Sequence, residues 1–295
     1  ILLDHNNRCA GVKLASGENI TADAVIIAAG LGGRKLTMNL LKYAGSEPKG
    51  FQIGCRIEHP QEMVDRKQYR CSPRPPTLGA AEYNLAMSPT PSKPGASTFC
   101  MYPGGTVIPA TAVSGELSSN GMSNRARDGE FANSTIVVTP DRTKFKTHAE
   151  AFGFLSALGR KTFYAGGEDY GFPAQDADAF LTGNVRLLHK KSSVQTQLVP
   201  ADISSLLPQE ITATIRRALR EFDRRFPGFI KYGKLIGVES YVSSPVRFIR
   251  DINMMSTVEQ LYFAGEGAGM AGGILSAAVD GIKVAQAVIK KFNQI

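Results

Sequence analysis

The sequence predicts an α/β protein in which two separated pieces of one parallel-sheet domain enclose an α+β insert. Three observations carry this. Asp23-Ala24-Val25-Ile26-Ile27-Ala28-Ala29-Gly30 is a continuous apolar run closed by small residues, the pattern of a strand buried on both faces of a parallel sheet. Leu261-Tyr262-Phe263-Ala264, a glycine-rich turn over 265–273 and a helical pattern over 274–292 form a second strand–turn–helix at the other end. Between them, strand-like and helical runs mix without an internal repeat.

The elements follow in order. Ile1 to Asp4 reads as the tail of a strand and 5–8 as a turn. Cys9 to Leu14 is a strand that turns through 15–18 into 19–22. The start lacks a Met and any basic n-region with an apolar stretch, so a cut edge with a missing upstream part is expected. Residues 35–44 form a short helix closed by Gly45, and Phe51 to Ile57 is a strand that enters the insert. The stretch 72–96 holds six prolines and is loop-rich. Strands are expected at 97–102, 105–112 and 134–139, and helices at 145–159 and 208–226. Pro208 starts the second helix, Pro227-Gly228 stops it, and 200–207 reads as a connecting loop. In the last helix Ile274, Ala278, Gly281, Ala285 and Val288 line one apolar face. The expected divisions are 1–47, 48–248 and 249–295.

Composition narrows the class. A chain of 295 residues, 43% hydrophobic and 20% charged, is long enough for a sizeable core and excludes disorder, collagen and coiled coil. No apolar run approaches the ~20 residues a bilayer needs. Four cysteines at 9, 55, 71 and 100 make no CxxC pair and no disulfide framework, which fits a reducing, cytoplasmic compartment. His5, His59, His148 and His189 are isolated, without metal-ligand spacing, so no metal is expected. The net charge of +8 is scattered apart from Arg216, Arg217, Arg220, Arg224 and Arg225. Those alternate with Leu219, Phe222 and Phe226 at helical spacing, a solvated helix face in preference to a nucleic-acid stripe. No GxSxG elbow occurs, which argues against a hydrolase.

Gly267 to Gly272 spells GxGxxG, the dinucleotide fingerprint. Its usual meaning fails here, because the motif opens a βαβ unit and no second strand follows Gly272. The physics of a glycine-rich strand-to-helix turn still holds. Glycines permit positive φ and close approach at Gly265, Gly267, Gly269, Gly272 and Gly273, and free N–H groups at the helix start favour negative charge. Glu266 is an acceptor placed for hydroxyls. A cofactor with a polyol and an electron-rich ring edge suits this turn, which describes flavin better than nicotinamide. Ala28, Ala29 and Gly30 lack bulk where the first strand ends, leaving room for a cofactor or forming an ordinary tight turn.

The 21–30 and 263–267 segments together resemble the two-dinucleotide-binding-domain flavoproteins. Phe51 to Pro60, Thr98 to Gly105, Ser119 to Asn124, Arg127, Ala132-Asn133-Ser134, Ser243 to Arg247 and Gly272-Gly273-Ile274 are similar to one bacterial group of FAD-dependent dehydrogenases. The resemblance runs essentially end to end. It implies a partial FAD-binding Rossmann-like domain with an inserted mixed or antiparallel-sheet substrate domain. It also implies that the FAD pyrophosphate loop lies upstream of Ile1. The expected activity is that of an FAD-dependent oxidoreductase, exchanging hydride between flavin N5 and an unidentified small organic substrate. Without the upstream unit the fragment is expected to be inactive and to hold FAD weakly or not at all. Ala29, Gly30, Gly265, Glu266, Gly267, Gly269, Ala271, Gly272, Gly273 and Ile274 are the implied cofactor contacts. An RNA-acting flavoprotein and a cofactor-free binding domain are the alternatives. Nucleic-acid binding is not expected.

Arg56 and His59 are the candidate catalytic residues. One reading sets Arg56 on an anionic substrate and His59 near the flavin as proton donor or acceptor. The other is a structural Arg56–Glu58 pair with His59 at a turn. Cys100, Asn120, Met122 and Asn133 are the candidate substrate pocket. Relatives often carry Cys where this chain has Tyr102, so no dithiol relay is expected at Cys100.

Overall fold

The computed structural model describes residues 1–187 and 191–293, which places His189 outside the described residues. The chain divides into two compact units. The first gathers Ile1–Phe51, Asp141–Gly153 and Val242–Ile295, and the second Gln52–Pro140 and Phe154–Tyr241. The return at 141–153 has no counterpart in the sequence reading.

In the first unit the strands at the two ends of the chain pair in parallel, Val25–Ile27 against Leu261–Phe263. Leu2–Leu3, Cys9–Lys13 and Asn19–Thr21 form an antiparallel sheet, and Ser46–Pro48 pairs with Val246–Phe248. Leu261, Phe263, Phe248, Leu40 and Cys9 fill the core. There the Phe248 and Phe263 rings stack at 3.8 Å. The run at 23–30 is not a strand buried on both faces, as its composition suggests. Only Val25–Ile27 is extended, and Ile26 is 43% exposed, because this strand has a neighbour on one side alone among the described residues. The helix Ile274–Phe292 has the expected limits, with Lys290 and Lys291 complementing its C-terminal dipole. Its packed face, however, is centred on Asp280 and Val284. Ile274, Leu275, Val279 and Ile282 face outward, so the anticipated Ile274–Ala278–Gly281 stripe is not the one buried. Helix Arg34–Leu40 is shorter than 35–44, since Gly45 is reached through a turn.

The second unit is built on a mixed seven-stranded sheet. Its order is Leu198–Pro200, Phe172–Asp176, Lys234–Glu239, Ile53–Pro60, Phe131–Val138, Ala96–Tyr102 and Ala86–Met87. Ile53–Pro60 lies between two long partners and is buried at seven of eight positions, which is why its charged residues must find partners inside the sheet. Gly54 is required there: a Cβ would sit 1.8 Å from the Ile136 carbonyl oxygen. Helix Gln209–Arg225 buries Ile211, Ile215, Leu219 and Phe222, each contributing about 1.5–3 kcal/mol. Of its basic residues, Arg220, Arg224 and Arg225 are exposed and Arg216 and Arg217 half-buried. Arg216 donates to Phe180 O at 3.1 Å and Arg225 to Ala86 O at 2.6 Å.

Several elements differ from expectation. The stretch 200–207 is not simply a loop: Leu198–Pro200 pairs in parallel with Phe172–Ala174, and Ile203–Leu206 makes a helical turn. Asp202 caps that turn by accepting from Ser204 N, while Ile203 and Leu206 are buried. Helix Gln61–Tyr69 follows the Ile53–Pro60 strand directly, and helix His148–Ala165 starts and ends later than 145–159. No described helix is long and apolar enough to cross a membrane.

Candidate functional site

Two groups of predicted residues are each assembled by one unit. In the first, the parallel pair carries its carboxyl ends side by side, tied by Ala264 N donating to Ile27 O at 2.9 Å. The chain then turns through Gly30 (φ 60, ψ −169) and Gly265 (φ 75), backbone states that favour glycine. Gly267 packs directly on Gly30: a Cβ at Gly267 would lie 2.3 Å from the Gly30 carbonyl oxygen. Gly269 packs likewise on Val246 O, at 2.0 Å. These glycines are therefore demanded by the protein's own backbone.

Gly272 and Gly273 are different. No atom lies within 4 Å of a Cβ built at Gly272, and at Gly273 the nearest is Ser276 Oγ at 3.9 Å. Gly273 is the N-cap of the nineteen-residue helix and supplies no side-chain cap, so first-turn N–H groups are left for an acceptor. Ile274 beside it is 84% exposed, whereas Ala271 is buried and Ala29 exposed. Glu266 is half-buried, and burial raises its carboxyl above the usual range, with Lys49 opposing. Burial in turn pulls the Lys49 amine down, Arg247 adding to the effect and Glu266 resisting it.

Two residues not picked from the sequence lock this turn to its helix. Asp280 accepts from Gly265 N at 2.7 Å and pairs with Arg250 at 2.8 Å, while Arg250 also donates to Phe263 O at 2.9 Å. Burial opposes the Asp280 charge, but the bonds from Arg250 and Gly265 outweigh it and hold the carboxyl below its usual range. The available signal was an aspartate interrupting the small and apolar run Ala277-Ala278-Val279-Asp280-Gly281.

In the second unit the sheet brings together Arg56, Cys100, Asn120 and Asn133. Arg56 is wholly buried and donates through Nε and Nη2 to Glu239 Oε2, at 3.1 and 2.6 Å. Its Nη1 reaches Asn133 Oδ1 at 2.8 Å and Cys100 O at 3.4 Å, and Nη2 reaches Asn120 Oδ1 at 3.4 Å. The Tyr102 ring lies 5.4 Å from the guanidinium carbon, and Thr135 also donates to Glu239. Gly121 closes over the cluster, where a Cβ would fall 2.3 Å from Asn133 Oδ1. Asn133 Nδ2 is buried with no hydrogen-bond partner among the described residues. Met122 shares the Ser119–Ser123 strand with Asn120, but it is 57% exposed.

The Arg56–Glu58 pair considered from sequence does not form. Glu58 instead accepts from Ser192 Oγ, Ser193 N and Ser193 Oγ. His59 is wholly buried among Tyr83 and Phe229. Its Nε2 donates to Phe229 O at 2.8 Å and its Nδ1 accepts from Tyr83 Oη at 3.3 Å. Burial lowers its pKa to about 4, against the Phe229 bond and Asp223, so the ring is neutral at pH 7. Among the described residues no group of three His, Cys, Asp or Glu is placed to hold a metal ion.

A family model described as "FAD-dependent protein, C-terminal domain-like" matches residues 50–242. An uncharacterized protein of Clostridium beijerinckii is 36% identical over 293 residues, 95% of this chain and 54% of the relative. The chain thus spans about half the length of the curated relative it matches.

Proposed function

Since the chain belongs to the FAD-dependent protein, C-terminal domain-like family, we propose that it is the C-terminal portion of a flavin-dependent dehydrogenase acting on a small organic substrate. The observation that carries this reading is the open, uncapped helix start at Gly272-Gly273, in the same glycine-rich turn as the half-buried Glu266. Residues that fit a flavin are those that leave room and offer the right polarity. Gly272 and Gly273 leave space a side chain would fill, the helix N-terminus favours an electron-rich ring edge, and Glu266 can accept from ribityl hydroxyls.

When bound, the flavin supplies hydride exchange with the substrate. The chain's own residues supply position and field. Gly30, Gly265, Gly267 and Gly269 fix the turn, and Ala29, Ala271 and Ile274 border it. Asp280 and Arg250 hold the turn on the helix. In the second unit Arg56 is neutralised by Glu239 and acts as a positioning residue. By occupying Asn133 Oδ1 it leaves Asn133 Nδ2 as the group's donor. His59, neutral and bonded at both nitrogens, supports the strand that carries Arg56. Cys100, Asn120 and Met122 complete the neighbourhood of that cluster.

The test is to purify the full-length protein, release its cofactor by denaturation, and identify and count it. About one FAD per chain is expected. A colourless protein that takes up no FAD on reconstitution refutes the proposal.

A further inference from the structure

We propose that the second unit binds a small organic cation, an amine or guanidinium, in a cavity at one end of its seven-stranded sheet. This site is independent of the flavin reading. The cavity has a volume of about 880 Å³, within the ~300–1,000 Å³ of small-molecule sites.

Its floor is a row of alternating charge. Lys234 stands directly opposite Glu58 on one neighbouring strand and opposite Asp176 on the other. Opposed residues of antiparallel strands share a face, so the three line up side by side. The Lys234 ammonium is spent on this row and on the Lys191 carbonyl, to which it donates.

Among the described residues the rest of the lining holds five carboxylates against three cations, and Arg186 pairs with one of those carboxylates, Asp178, as well as with Asp176 of the floor. Arg74 is paired to Asp65 at 2.8 Å and Lys191 to Glu130 at 2.9 Å. Lys234 is committed to the floor, which leaves Lys231. On the acidic side, Glu62 and Asp128 are held by neutral donors, Ser72 Oγ and Asn124 Nδ2, each at 2.8 Å. These two exposed carboxylates, with no basic partner among the described residues, favour a cation over an anion at the cavity. Pro60, Pro76 and Phe131 add apolar wall for the hydrocarbon part of such a ligand.

The probe is agmatine, a short chain cationic at both ends, titrated by calorimetry into the full-length protein. Glutarate, its anionic counterpart, is the control. Saturable agmatine binding is expected, without glutarate binding and weakening with added salt. The double variant Glu62→Gln, Asp128→Asn should bind agmatine about tenfold more weakly or worse, with its flavin content unchanged. Lys231→Ala, at an exposed position, should bind it more tightly. No saturable agmatine binding, equal binding of glutarate, or undiminished binding by a folded double variant overturns the proposal. Should the double variant fail to fold, unchanged or weaker affinity in Lys231→Ala overturns it. Flavin content reports separately on the first unit.

Discussion

Substituting Gly267 and Gly272 separates a glycine needed by the fold from one left open for a cofactor. A methyl group at Gly267 would sit 2.3 Å from Gly30 O, about 1 Å inside van der Waals contact. The ends of the two paired strands must then move apart. Overpacking of this kind costs about 1–3 kcal/mol, or roughly 3–10 °C in Tm. At Gly272 a side chain meets nothing within 4 Å and φ is not in the left-handed region, so Gly272→Val should change stability by no more than ~0.5 kcal/mol. It would nevertheless fill the space assigned to the flavin. The assay pairs thermal melts of flavin-stripped protein with flavin stoichiometry of the purified protein, because bound cofactor would itself raise Tm. Gly267→Ala should lower the stripped Tm. Gly272→Val should keep that Tm and lose the flavin. If Gly272→Val retains stoichiometric flavin, the cofactor does not lie over this turn. If Gly267→Ala melts like the parent, the Gly30 contact does not constrain the fold.

Other perturbations follow from the buried charges. Asp280→Asn should cost about 2 kcal/mol at pH 7, measured by urea unfolding. Because the folded Asp280 pKa is depressed, its contribution is present above the unfolded value and lost as pH falls through the folded one, so the difference from the parent should vanish in strong acid. Glu239→Gln leaves the buried Arg56 without its counter-charge and should destabilise by about 3–5 kcal/mol. His59, folded with a pKa of about 4, contributes fully above its unfolded value near 6.5. Stability should fall with acidification from about pH 6.5 towards 4, by up to about 1.4 kcal/mol per pH unit. His59→Asn should flatten that dependence in the same unfolding series.

What could be read from the sequence depended on how local the information was. The helix Ile274–Phe292 was legible because a glycine turn and a helical period lie within one stretch of chain. Which face it buries was not, since Asp280 is drawn inward by Arg250 and the Gly265 amide. Arg56 shows the same limit. Its tempting partner, Glu58, is two residues away, while its actual partner, Glu239, is 183 residues away on the adjoining strand. Strand Lys234–Glu239 was missed because charged ends mask a buried LIGV centre. Helix Gln61–Tyr69 was missed because its buried face includes Gln61 and Asp65, bonded to each other at 2.8 Å. Arg56, expected on an anionic substrate, lies beside Cys100, Asn120 and Asn133, expected separately as a substrate pocket, and both that proximity and the closed ion pair with Glu239 required the sheet register.

The parallel pairing of Val25–Ile27 with Leu261–Phe263 also sets a timetable for biosynthesis. During translation, the seven strands of the larger sheet have all been made once Glu239 is added, and they can associate outside the ribosome before synthesis of the C-terminal stretch is complete. The early strand meets this partner only after more than two hundred further residues have been made. Premature termination anywhere after Glu239 and before Leu261 should therefore yield a product with a competent sheet whose Val25–Ile27 strand lacks its Leu261–Phe263 neighbour and leaves that edge open to other chains.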